Sequence, residues 1–352
     1  GSYNTAVGES ALFSNTTADN NTAIGYQAGY NNTTGYENVA LGPRSLFTNS
    51  TGSRNTSIGR DSLYLNTSGI YNVANGYEAL RSNTASNNTA VGYQAGRSNT
   101  TGTQNVAMGA FALGANTTAS NNVAIGYQPS QNNTTGSDNI SLGMRALRLN
   151  TTGGSNIAVG HNALYSNTTA SNNTAVGYQA SYSSTETGGN TAVGYQSLYA
   201  NTGSDNSAVG IRSLTSNTTG TKNTALGYDA LRTNTTASYN TAVGYQSLYT
   251  NTTGGFSTAV GAAALKFATG LYNDALGYIA LGANTTGTNN NAFGGGALEV
   301  NTTGSYNAAF GRTALNQNTT ASYNTALGEA ALFNNATGEQ NTALGRRALF
   351  SQ

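Results

Sequence analysis

The 352-residue chain is one unit of about 17 residues written over and over, and that period limits the fold before any single residue is considered. A segment of the form Asn-Thr-Ala-Val-Gly recurs from end to end. Its glycine runs from Gly8, Gly25 and Gly42 to Gly328 and Gly345, in steps of 17 except for three steps of 16 that end at Gly92, Gly210 and Gly277. This makes 21 copies with no linker and no change of composition, so residues 1–352 are expected to form a single continuous array. Gly1-Ser2-Tyr3 fit positions 15 to 17 of a preceding repeat and Gln352 falls at position 12, so we expect a segment of a longer fibre.

Numbered from the asparagine, the consensus is N-T-A-V-G-Y-Q-A-L-Y-S-N-T-T-G-S-N. Position 1 is Asn in every copy but Ser257, and position 3 is Ala except at Ser57 and Ser141. Position 4 is Val, Ile, Leu, Met or Phe except at Asn75. Position 8 is Ala or Ser except at Pro129, and position 9 is Leu in 17 copies. Position 6 wanders through Tyr26, Pro43, Arg60, His161, Ile211 and Glu329, as a residue facing water can.

Seventeen residues are too few for a helix pair, which needs roughly 33. The expected fold is therefore all-β, a parallel β-solenoid or β-roll of 21 coils. Positions 1–5 read as a short strand ending at a glycine that permits a tight bend. Positions 6–10 read as a second strand or as one helical turn, which five residues cannot decide. Positions 12–17 are turn chemistry, with Asn and Gly able to take positive φ, and the 16-residue coils are shortened there. Rungs roughly 4.8 Å apart would stack to about 100 Å. The expected core of each coil is one Val, one Leu and two Ala. Adjacent strand residues point to opposite faces, yet positions 3 and 4 are both restricted to small or apolar types. Both faces then need cover, which predicts a homo-oligomer.

Only 8% of residues are charged, with 14 Lys+Arg against 13 Asp+Glu, which leaves no field to steer nucleic acid or an anionic membrane. There is no Cys for disulfides or thiolate metal sites, and no run of 18 apolar residues for membrane insertion. The one histidine, His161, sits at a variable position. Glu9 and Glu329 at position 6 and Asp61 and Asp229 at position 7 are read as isolated carboxylates. No Gly-rich turn forms a G-x-x-x-x-G-K-[ST] phosphate cradle. The expectation is no enzyme, no cofactor and no metal.

Position 12 carries the most suggestive feature, an N-x-[ST] sequon. It is headed by Asn15, Asn32, Asn49, Asn66, Asn99, Asn116, Asn133, Asn150, Asn167, Asn217, Asn234, Asn251, Asn284, Asn301, Asn318 and Asn335. Asn83 and Asn201 keep the asparagine without the sequon, while Ser184, Ala268 and Gln352 lose it. One reading is a row of N-glycans along an edge. The other is a side-chain amide ladder of turn residues. Asn20, Asn87 and Asn172 also head sequons, read as chance in so Asn-rich a chain. Position-1 Asn is read as a structural ladder. Tyr at positions 6 and 10 is read as packing along neighbouring rungs, the alternative being an aromatic array for sugars. Thr-Thr at positions 13 and 14 invites an ice-binding reading, weakened because adjacent residues put one Thr per rung on a face.

Asn122-Val-Ala-Ile-Gly126, Asn105-Val-Ala-Met-Gly109, Asn156-Ile-Ala-Val-Gly160 and Asn38-Val-Ala-Leu-Gly42 resemble the head repeats of YadA-like trimeric autotransporter adhesins, which also occur in tail-fibre-like proteins. The resemblance spans all copies but only five to eight positions of each, and this coil is longer than the family's by an Asn-Thr-Thr-Gly insertion. It implies a left-handed β-roll, a homotrimer, and a place outside the cell, at its surface or on a virion. The expected function is that of a non-enzymatic structural protein of an extracellular fibre or filament, as shaft or adhesive head. Alternatives are a module binding carbohydrate, matrix or ice, and a phage tail-fibre shaft.

Overall fold

A computed structural model describes residues 1–351; Gln352, at position 12 of the last repeat, lies outside the described residues. The chain forms two compact units, Gly1–Asn173 and Thr174–Gln352, each a parallel β-solenoid. The first holds ten strands, from β1 (Thr5–Val7) to β10 (Ile157–Val159), and the second eleven, from β11 (Thr174–Val176) to β21 (Thr342–Leu344). Among the described residues there is no helix.

Every strand is three residues long and takes positions 2–4. Equivalent positions pair in register: Thr22, Ala23 and Ile24 face Val39, Ala40 and Leu41, and in the second unit Thr224, Ala225 and Leu226 face Thr241, Ala242 and Val243. With so short a strand, only the middle residue points inward. The position-3 alanines are buried, whereas Ile24 is 42% exposed and Leu226 48%. The expected core is corrected on this point. Position-4 Val and Ile stand outside, and the interior is built from Ala at position 3, Ala or Ser at 8, Leu at 9, and Asn at 1 and 12.

The position-5 glycine is required twice over. Its φ is +121° at Gly109, where L side chains strain, and a Cβ there would lie 1.8 Å from the Gly126 carbonyl oxygen of the next coil. Positions 6–10 are neither strand nor helix but a turn with left-handed residues at positions 7 and 9, such as Arg44 (φ 54°) and Leu46 (φ 54°). Such φ values cost about 1–2 kcal/mol per residue. They are offset because the alternation aims successive amides at opposite neighbours. Arg44 N–H donates to the Tyr26 carbonyl of the preceding coil (2.8 Å), and Leu46 N–H to the Ser62 carbonyl of the following one (3.0 Å). The same twist at position 9 sends Leu46 into the interior, where it is buried. In the far turn the left-handed residue is position 17, as at Glu37 and Arg54, and not the Asn or Gly of positions 12 and 15.

Candidate functional site: the asparagine columns

In most coils two asparagines converge on one carbonyl. In the second coil Asn21 Nδ2 and Asn32 Nδ2, from positions 1 and 12, both donate to the Gly35 carbonyl, at 2.9 and 2.8 Å. In the fourteenth coil Asn223 and Asn234 do the same to Ala237, at 2.8 and 3.1 Å. The pair ties the start of the strand to the far turn and closes the coil. Their oxygens face along the stack. Asn21 Oδ1 accepts the Asn38 backbone N–H (2.9 Å), and Asn32 Oδ1 accepts Asn49 Nδ2 (2.7 Å). A buried backbone carbonyl and two buried amides are thereby satisfied without water.

This geometry argues against the glycan row. Asn32, Asn49, Asn66, Asn99, Asn116, Asn133, Asn150, Asn167, Asn217, Asn234, Asn251, Asn284, Asn301, Asn318 and Asn335 are buried, and only Asn15, in the first coil, is half-buried. The atom that would carry sugar, Nδ2, is the one that donates inside the coil. Two of the three 16-residue coils make the same point: Asn83 still donates to the Ala85 carbonyl (2.8 Å) and Asn201 to Gly203 (2.7 Å), although neither heads a sequon. The turn loses a residue and keeps the clasp. Asn20, Asn87 and Asn172, read as chance sequons, stand exposed at position 17, as does Asn132 of Asn132-Asn133-Thr134 at position 11. The position-1 Asn is structural, as expected.

Position-13 threonines are also used internally. Thr33 Oγ1 donates to the Ser50 carbonyl and Thr100 Oγ1 to that of Thr117, each at 2.9 Å. Position 14, as at Thr34, Thr101 and Thr118, is exposed, and Thr also stands exposed at position 2 of some coils, as at Thr224, Thr258 and Thr325. Aromatic rings run in stacks: Phe13, Tyr30, Phe47 and Tyr64 lie 5.0, 5.3 and 5.1 Å apart with planes within 15°. Tyr178 with Tyr195 and Tyr228 with Tyr245 stack likewise at position 6. Within these stacks each ring covers its neighbour's face, which leaves few open faces for sugar rings.

The isolated-carboxylate reading is corrected at Asp61. Glu78 holds position 7 of the next coil, a neighbour that comparing the coils column by column finds. Asp61 is paired with Arg44 (2.9 Å) and Arg60 (3.5 Å), Glu78 with Arg97 (2.8 Å) and Arg81 (3.8 Å). Asp229 repeats the motif with Arg212 (2.9 Å) and Arg232 (3.7 Å). Two guanidinium groups per carboxylate neutralise charge at a buried position and hold neighbouring coils together; neither oxygen is aimed at an open cleft as a general base would be. At position 17, Arg54 is held between Glu37 (2.9 Å) and the Tyr71 hydroxyl, and the hydrogen bond to Glu37 raises its pKa further above the ordinary arginine value. His161 is half-buried at position 6. Among the described residues no three His, Cys, Asp or Glu cluster as metal ligands, and no helix is long and apolar enough to cross a membrane.

No protein-family model matches the chain, and no curated protein matches it either.

Proposed function

We propose that this chain is a non-catalytic structural protein of an extracellular fibre, self-associating through the outer face of its strands. The observation that carries the reading is the position-4 column. In each unit it places an apolar side chain on the outer side of the strand, Asn75 excepted, half-buried in many coils and exposed in others, among them Ile24, Met108 and Ile125 in the first unit and Leu226, Leu276 and Leu327 in the second. In the first unit Val73, Ile140 and Ile157 at position 2 widen the stripe. Contiguous exposed apolar surface of this kind marks a contact face. The likeness to trimeric adhesin heads supports three chains and a location outside the cell, and rigid rungs closed by asparagine suit a shaft. Sugar binding by aromatic rows is disfavoured where the rings stack on one another.

Lysine at outward positions tests the face without touching the core. Ile24→Lys with Ile125→Lys, and separately Leu226→Lys with Leu327→Lys, should convert an assembled chain to monomers in size-exclusion chromatography with light scattering, with the β-rich circular dichroism unchanged. Assembly that survives both pairs would exclude this face.

A further inference from the structure

Position 10 of the first unit is a column of flat groups with one gap. Rings fill it as far as Tyr64, Arg81 and Arg97 continue it, and beyond Gly114 come Gln131, Arg148 and Tyr165. The guanidinium groups stack as the rings do: Arg81 Cζ lies 5.3 Å over the Tyr64 ring and Arg148 Cζ 5.8 Å over Tyr165. At Gly114 the coil contributes nothing. An opening of about 260 Å³ remains between Arg97 and Gln131, walled by Phe111 and rimmed by Gln94, Ser98 and Asn132.

Two rung steps, about 10 Å, separate the flanking groups, and one ring fills what their own thickness leaves. Both flanks are anchored. Glu78 holds Arg97 Nε at 2.8 Å, and Gln131 Oε1 accepts from Arg148 Nε at 3.2 Å. Phe111 stands across its neighbours, at 73° to Tyr93 and 81° to Tyr127, so it is an edge-on wall and not part of a stack. The volume is just below the roughly 300–1,000 Å³ of small-molecule sites, enough for one ring and not for a chain.

We infer that the Gly114 gap is a binding slot for one planar aromatic ring from outside the chain, a phenol by class. The ring takes the place of the missing position-10 tyrosine. Its face lies against the Arg97 guanidinium, where cation–π attraction favours an aromatic over a saturated ring, and its hydroxyl meets the amide-bearing rim. A second gap, of about 370 Å³ at Gly282, serves as a control. There Lys266 and Glu299 flank the opening and Ile279 replaces Phe111; Phe267 and Tyr278 also line it, but no pair of flat position-10 groups stands on either side of the gap.

The test is p-cresol titrated into the full chain, followed by saturation-transfer NMR, with methyl glucoside as the saturated-ring comparison. Saturable p-cresol binding with a Kd on the order of millimolar is expected, weakened at least about tenfold by Gly114→Tyr and unchanged by Gly282→Tyr. The first substitution restores the commonest residue of position 10, and its Cβ meets only the Phe111 carbonyl closely, at 3.2 Å. Phe111→Gln, which restores the commonest residue of position 7, is a second route to the same loss should Gly114→Tyr misfold. No saturable binding, binding that survives both Gly114→Tyr and Phe111→Gln, or methyl glucoside bound as well as p-cresol would overturn the assignment.

Discussion

A primary amide has two donors and an acceptor, and asparagine places them on a side chain short enough to reach its own turn. Most coils use that capacity twice. In the third coil Asn49 Nδ2 donates to the Gly52 carbonyl (2.8 Å) and to Asn32 Oδ1 (2.7 Å). Asn49→Ala removes these two bonds and the one Asn49 Oδ1 accepts from Asn66 Nδ2 (3.0 Å), and we expect a loss of about 1–3 kcal/mol, read as a lowered midpoint of thermal unfolding and faster amide exchange in the adjoining coils. Asn49→Asp should cost more, because a carboxylate cannot donate and would face two oxygens in the interior. The one coil whose position 1 is not asparagine, at Ser257, also lacks the position-12 amide, at Ala268, so there both donors are absent together. Glycopeptide mass spectrometry of native material should find the buried position-12 asparagines bare; sugar on most of them would contradict the clasp.

At the scale of the element, the coil is a three-residue strand and two turns whose handedness alternates. The period, the small residues at positions 3 and 8 and the leucine at 9 made the solenoid and most of its interior legible in sequence. The direction of position 4 was legible too, since it must oppose position 3, but its valine was counted as core because apolar type was weighed before strand length. Positions 6–10 were not legible. Leu, Gln and Arg carry no local signal for positive φ; the neighbouring coils impose it by accepting the amides, a tertiary effect. The clasp did leave a signal: Asn83 and Asn201 keep the amide where the sequon is gone. Gly109→Ala should be among the costliest small changes, on the order of 3 kcal/mol for a forbidden backbone region, before the 1.8 Å overlap with Gly126 is relieved. Its readout is loss of amide protection in the seventh and eighth coils. Asp229→Ala strips the partner from Arg212 and Arg232 at a buried site. Because those arginines are about one-third exposed, we expect the loss to fall short of the roughly 3–5 kcal/mol typical of a broken buried pair; thermal unfolding checks it.

Over the whole molecule, charge is scarce and nearly balanced, and the position-4 column on the outward face of the strands is apolar along each unit, Asn75 excepted. A surface with so little charge does not keep chains apart, and exposed apolar columns favour contact. Self-association is therefore the property on which the proposed role as a fibre depends. Sedimentation equilibrium of the purified wild-type chain tests it most directly. The account predicts a particle of about three times the 35.9 kDa chain mass, or longer assemblies of such particles. A stable species at the mass of one chain, unchanged as concentration rises, would contradict it.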